Sequence, residues 1–110
     1  MKRDFRIADV EAEREQSGKS YLEFVRTGSL SVGLYVLPAG GTDGQQPHTE
    51  DEVYHVVGGR AVLQVAGERY PVGPGSVVFV EAGVEHRFVQ IEEALTVLVF
   101  FAPAEYSQAK

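Results

Sequence analysis

Two histidines and one carboxylate, His48, Glu52 and His86, are the side chains of this sequence best suited to chemistry. Imidazole nitrogen and carboxylate oxygen suit Zn, Fe, Mn and Ni. Two His with one carboxylate is the ligand set of catalytic zinc sites and of the Fe(II) facial triad. Three ligands on one side of an ion leave positions open for water or substrate. The chain contains no cysteine, which excludes a thiolate zinc site, an iron–sulfur cluster, a disulfide framework and a catalytic thiol. Any metal must be held by nitrogen and oxygen.

Spacing decides whether these ligands can meet. On one straight strand His48 and Glu52 would stand about 13 Å apart at ~3.3 Å per residue, too far to share an ion. The polar trio Thr49-Glu50-Asp51 between them reads as a turn, which folds His48 back over Glu52. His86 begins a later strand directly after a loop containing Gly83, and in a barrel the inner faces of distant strands converge. Gln46, two residues before His48, could reach the same ion through its amide oxygen, with Asp43 and Gln45 as nearby alternatives. Taken singly, each of the three histidines is more often a structural or surface residue than a ligand; the grouping is what carries the metal reading.

Strand parity sorts the neighbours. If Glu52 points inward, so do Tyr54 and Val56, and His55 points out, to solvent or to a subunit interface. By the same rule Phe88 and Gln90 accompany His86. Tyr54, Phe88 and Gln90 are then expected to line a pocket beside the metal, although Tyr54 and Phe88 would serve equally as core filling.

These residues need strands to position them. A helix is expected over Ile7–Gln16, which has helix formers, no Gly or Pro, and Ser17-Gly18 as a stop. From Tyr21 onward the pattern changes to period two. Leu30, Val32, Leu34 and Val36 alternate with Ser31, Gly33 and Tyr35, as in a half-buried strand. Further strands are expected over Glu52–Val57, closed by Gly58-Gly59, and over Ala61–Val65, Tyr70–Val72 and Ser76–Val80. Two more follow, His86–Ile91 and Leu95–Phe101, separated by a turn at Glu92-Glu93-Ala94. About eight short strands punctuated by Gly and Pro indicate an antiparallel sandwich or barrel. Leu95–Phe101 is apolar on both faces, so one face is left to cover with the helix, another sheet or a second subunit.

Composition bounds the rest. A chain of 110 residues is the size of one domain, with its barrel core at about 21–102. The net charge of −6 is opposite in sign to that of a nucleic-acid binder. No apolar run reads as a signal peptide or membrane span, so cytoplasm is the default expectation.

The stretch from about Gly41 to Gln90 resembles the two motif blocks of the cupin superfamily. His48, three residues, Glu52, six residues and Gly59 match the second half of the first block, whose earlier His falls at Gln46 and whose leading Gly falls near Gly40. Gly75, Gly83 and His86 match the second block, with Glu81 at its Pro position and Gln90 at its Asn position. The resemblance implies an all-β double-stranded β-helix, or jelly-roll barrel, behind the short N-terminal helix. It also implies one divalent metal (Zn, Fe, Mn or Ni) inside the barrel on residues matching His48, Glu52 and His86, alone or completed by Gln46. It further implies a homodimer that pairs or exchanges N-terminal strands.

The reaction does not follow from the fold. The leading expectation is a metal-dependent enzyme of oxygenase or isomerase type acting on a small organic molecule, with Tyr54 or Gln90 orienting it. The alternatives are a non-catalytic ligand-binding or sensor module and a metal-free dimeric interaction domain.

Overall fold

The computed structural model describes residues 1–44 and 47–107. Helix α1 spans Ile7–Ser17 and is followed by β1 (Tyr21–Arg26), β2 (Ser31–Leu37), β3 (Asp51–Val65), β4 (Glu68–Val72), β5 (Val77–Val80) and β6 (His86–Ala102). All pairings are antiparallel, in the order β1-β2-β6-β3-β4 with β5 also on β3. The first half of β3 lies between β5 and the second half of β6. The second half of β3 lies between β4 and the first half of β6. Two long bent strands thus run through both ends of a jelly-roll barrel, and the short strands close its sides.

The six strands are fewer than the pattern of breaks suggests, because two expected breaks are bends. Gly58-Gly59 continues β3: Gly59 has φ 88°, and a Cβ there would overlap the carbonyl oxygen of Ala94. A bare backbone lets the strand shift register and lean on its partner instead of ending. Across this bend the buried side of β3 changes from Glu52, Tyr54 and Val56 to Ala61 and Leu63. The expected turn at Glu92-Glu93-Ala94 likewise stays inside β6.

In β6 the extra residues sit around Gln90. Val62 faces Val89 and Arg60 faces Glu93, so one residue of β3 stands opposite three of β6. Gln90 takes up the bulge with φ 49°. Buried positions change there from His86 and Phe88 to Ile91, Leu95, Val97, Val99 and Phe101. Parity therefore fails at Gln90, which is exposed.

The second correction concerns β2, which is covered on both sides and not half-buried. Tyr35 and Leu37 belong to the central core, together with Tyr54, Leu63, Phe88 and Phe101. Val32 and Leu34 are buried outside that cluster, on a strand that α1 contacts, and Val10 of α1 is buried as well. The alternation of β2 was read with its outer face as the core face. Among the described residues no helix is long and apolar enough to cross a membrane.

Candidate functional site

His48 precedes β3 and Glu52 lies at its start, while His86 is the first residue of β6. Two loop contacts set their relation. The carbonyl of His48 accepts a hydrogen bond from the Gly83 N–H at 2.7 Å, and the Ala82 N–H donates to Asp51 Oδ1 at 2.9 Å. The loop before His86 is thus tied to the bend after His48. The bend is further held by Thr49, whose hydroxyl donates to the buried carboxylate of Glu50.

The three side chains converge. One donor atom from each of His48, Glu52 and His86 lies within 4.8 Å of the others, and all three residues are buried. Glu52 Oε1 is 2.6 Å from His86 Nε2 and 3.5 Å from His48 Nδ1. Donors bound ~2.1 Å from one ion stand about 3–4 Å apart, so movements below about 1 Å would close this set. Among the described residues, His48 Nδ1 and Glu52 Oε2 are buried without a hydrogen-bond partner, and Glu52 Oε1 is held by its contacts with the two imidazoles. Buried polar atoms are ordinarily satisfied. Unpaired buried donors grouped with these contacts are what a cation would satisfy, so the residues present fit a divalent metal.

The outward nitrogens fix how each ring faces that point. His86 Nδ1 lies 2.8 Å from the Val84 carbonyl, which can only accept, so Nδ1 carries the proton and Nε2 turns to the site. Tyr54 places its hydroxyl 3.1 Å from that Nε2. His48 is reversed: its Nε2 lies 2.9 Å from a carboxylate oxygen of Glu105, leaving Nδ1 toward Glu52. Carboxylate or carbonyl partners of this kind orient metal-ligating histidines.

Charge follows from the same contacts. Burial pulls the His48 pKa down, but the paired carboxylates of Glu105 and Glu52 outweigh it and raise it to about 9. For His86, burial again opposes, and Glu52 with the Val84 carbonyl wins, moving it upward. Burial pushes Glu52 up, yet its two histidines hold it below the ordinary carboxylate range. Without a cation the cluster is a network of protonated imidazole and carboxylate, so a cation entering it displaces protons.

Glu105 and its neighbour were not found in the sequence. They follow the last strand, where no periodicity or motif spacing reaches. The Glu105 N–H donates to Ser31 Oγ at 2.9 Å, Arg26 donates to the Glu105 carbonyl at 3.0 Å, and the Tyr106 N–H donates to Glu50 Oε1 at 2.6 Å. The Tyr106 ring stacks on His48 at 5.3 Å between centroids. The C-terminal segment is thereby pinned across the site.

A cavity of about 510 Å³ adjoins His48, with Tyr21, Tyr35, Phe101, Glu105 and Tyr106 among its walls. The expected lining was Tyr54, Phe88 and Gln90. Tyr54 and Phe88 are buried and pack edge to face at 4.9 Å; neither lines this cavity, while the Tyr54 hydroxyl stands against His86 Nε2 at the site. Gln90 is displaced by the bulge, and its amide oxygen accepts from Arg69 at 2.7 Å. Asp43 is engaged elsewhere, accepting from the Tyr35 hydroxyl at 2.7 Å and from the Phe88 N–H at 2.9 Å. Gln46, expected to complete the metal site, lies outside the described residues, as does Gln45. His55 is half-buried on the outer face of β3, away from the cluster.

Comparison with known proteins agrees with this architecture. The cupin domain family matches residues 33–101. An uncharacterized protein of Streptomyces coelicolor is 54% identical over 101 residues, which is 92% of this chain and 96% of that one. KdgF from a Halomonas species superposes with a TM-score of 0.69 at 21% identity, over 76% of each chain. An RmlC-like cupin with a double-stranded β-helix from Methanocaldococcus jannaschii gives 0.69 at 20% identity, over 76% of this chain and 78% of that one. The DMSP lyase DddQ from Ruegeria pomeroyi gives 0.65 at 26% identity over 69% of this chain, which spans only 39% of that enzyme.

Proposed function

This chain belongs to the cupin domain family, and on that premise we propose that it is a metal-dependent enzyme acting on a small organic molecule, with chemistry of oxygenase or isomerase type. The observation that carries the proposal is the convergence of the buried donor atoms of His48, Glu52 and His86 beside a cavity of about 510 Å³. These three residues would hold one divalent ion, of which Zn, Fe, Mn and Ni suit the donor set. Such an ion supplies Lewis acidity to a substrate oxygen. The chain supplies the rest. Glu105 holds the proton of His48 on Nε2, the Val84 carbonyl holds that of His86 on Nδ1, and Tyr106 covers His48. That one structural neighbour is named a lyase is consistent with catalysis on this fold, although the match covers a minority of its length.

Purified protein loaded separately with each metal, then assayed over a panel of diols, keto acids and sugars with and without chelator, tests the proposal. Chelator-sensitive turnover supports it. Saturable binding without turnover by any metal form would make the chain a binding module instead.

The active form we propose is a homodimer packed through the outer face of the sheet. Register places Phe79, Val53 and Phe100 in one row across β5, β3 and β6, and Val77, His55 and Leu98 in the next. Val77 is 66% exposed and Phe79 54%. An apolar face of this kind on a sheet marks an interaction surface, and a second copy sharing the same patch gives the commonest closed assembly.

A further inference from the structure

Resting on the reading that His48, Glu52 and His86 hold a divalent ion, we propose that Tyr21 is a substrate-binding residue. Its hydroxyl donates a hydrogen bond to an oxygen of an uncharged small molecule seated in the adjoining cavity.

Tyr21 opens β1 and pairs with Tyr35 of β2. Its ring lies directly over Gly33, so that a Cβ at position 33 would fall among the ring atoms Cε1, Cζ and the hydroxyl. Any other residue there would displace the ring, and a glycine inside a strand is the usual sign of such a close approach. The hydroxyl delivered by this arrangement is buried and has no hydrogen-bond partner. The neighbouring Tyr35 differs, since its hydroxyl donates to Asp43. An unpaired buried hydroxyl is costly, and an oxygen of a ligand in the cavity that Tyr21 lines would supply the missing partner. Tyr21 lines the same cavity as His48 and Glu105.

The state of the phenol suits a donor. Burial, and then the carboxylates of Glu105, Glu23 and Glu52, hold its proton far above the ordinary tyrosine range, outweighing Arg26. Burial alone favours the neutral phenol, so Tyr21 presents O–H to its ligand at neutral pH.

The cavity also selects charge. Among the described residues that line it there is Glu105 but no Lys or Arg. With a divalent ion bound, Glu52 and Glu105 cancel its charge, and a phosphate or sulfate entering the site would meet no surplus of positive charge. An uncharged ligand bearing alcohol, carbonyl or amide oxygen meets aromatic walls from Tyr35, Phe101 and Tyr106, the phenol of Tyr21, and the ion.

The test compares zinc-loaded wild type with Tyr21→Phe by calorimetric titration. Lactamide, a neutral hydroxy-amide, serves as the uncharged oxygen probe and inorganic phosphate as the anionic one. Zinc content and metal-free melting temperature are measured on the same samples. The expected result is equal zinc content, an unchanged or higher metal-free melting temperature for Tyr21→Phe, and about tenfold weaker binding of lactamide by the variant, the worth of one hydrogen bond. Phosphate should bind wild type more weakly than lactamide and should not distinguish the two proteins. Equal affinity of both proteins for lactamide, tighter binding of phosphate than of lactamide, or a lower melting temperature in Tyr21→Phe would each overturn the assignment. A wild type that retains no zinc is detected before any probe is added; it overturns the metal reading itself, and the Tyr21 assignment with it.

Discussion

The carboxylate of Glu105 lies 2.9 Å from Nε2 of His48, a residue 57 positions earlier in the chain, and so leaves the opposite ring nitrogen facing Glu52. One element beyond the last strand thus determines which atom of a candidate ligand is presented to the site. The C-terminal segment can do this because Ser31, Arg26 and Glu50 hold its backbone at three further points.

This relationship predicts a graded effect on metal binding. Glu105→Ala should weaken zinc affinity by about 10- to 100-fold, the usual cost of losing the partner of a ligating histidine. Glu105→Gln keeps an oxygen acceptor for Nε2–H and should retain most of the affinity. Competition titration against a chromophoric chelator measures both.

The same contacts make metal-free stability depend on pH. His48 has a folded-state pKa of about 9 against an unfolded value of 6.5. Its protonation therefore favours the folded state, with the benefit complete below pH 6.5 and lost as pH rises through 9. The melting temperature of chelator-treated protein should fall across that interval. Zinc affinity should rise over the same interval, because zinc and a proton compete for His48 Nδ1. Parallel melting scans with and without zinc from pH 6 to 9.5 check both trends.

Backbone bends give a stability prediction independent of the metal. Gly59→Ala combines a positive φ with overlap on the Ala94 carbonyl and should destabilise the fold by at least ~1–3 kcal/mol. Gly28→Ala meets nothing within 4 Å and should stay within about 0.5 kcal/mol of wild type. Urea unfolding compares the two.

The outer apolar rows predict the assembly. Wild type should sediment as a dimer at micromolar concentration. Phe79→Glu with Phe100→Glu should sediment as a folded monomer, because both residues are already exposed and neither contributes to the central core. A wild-type monomer at that concentration would contradict the dimer.

The grouping of His48, Glu52 and His86 was legible because it rests on features written locally. The polar trio after His48, the parity of Glu52, Tyr54 and Val56, and the glycine before His86 each act over a few residues, and the structure brings the three side chains together. Gln90 was misplaced because parity holds only while pairing is regular, and a bulge that sets three residues against one is decided by the partner strand. Glu105 and Tyr106 could not be found by spacing, since their positions come from contacts to residues dozens of positions away. Gly33 was the legible sign of Tyr21: a glycine in an otherwise apolar strand signals that something crosses over it, though not which side chain.

Metal content of the purified chain tests the central claim most directly. Wild type and His55→Ala should each carry about one divalent ion per chain by elemental analysis after dialysis, and the His48→Ala, His86→Ala double variant should carry close to none, with an unchanged β-sheet circular dichroism spectrum showing that it still folds. Full occupancy in the folded double variant would contradict the account.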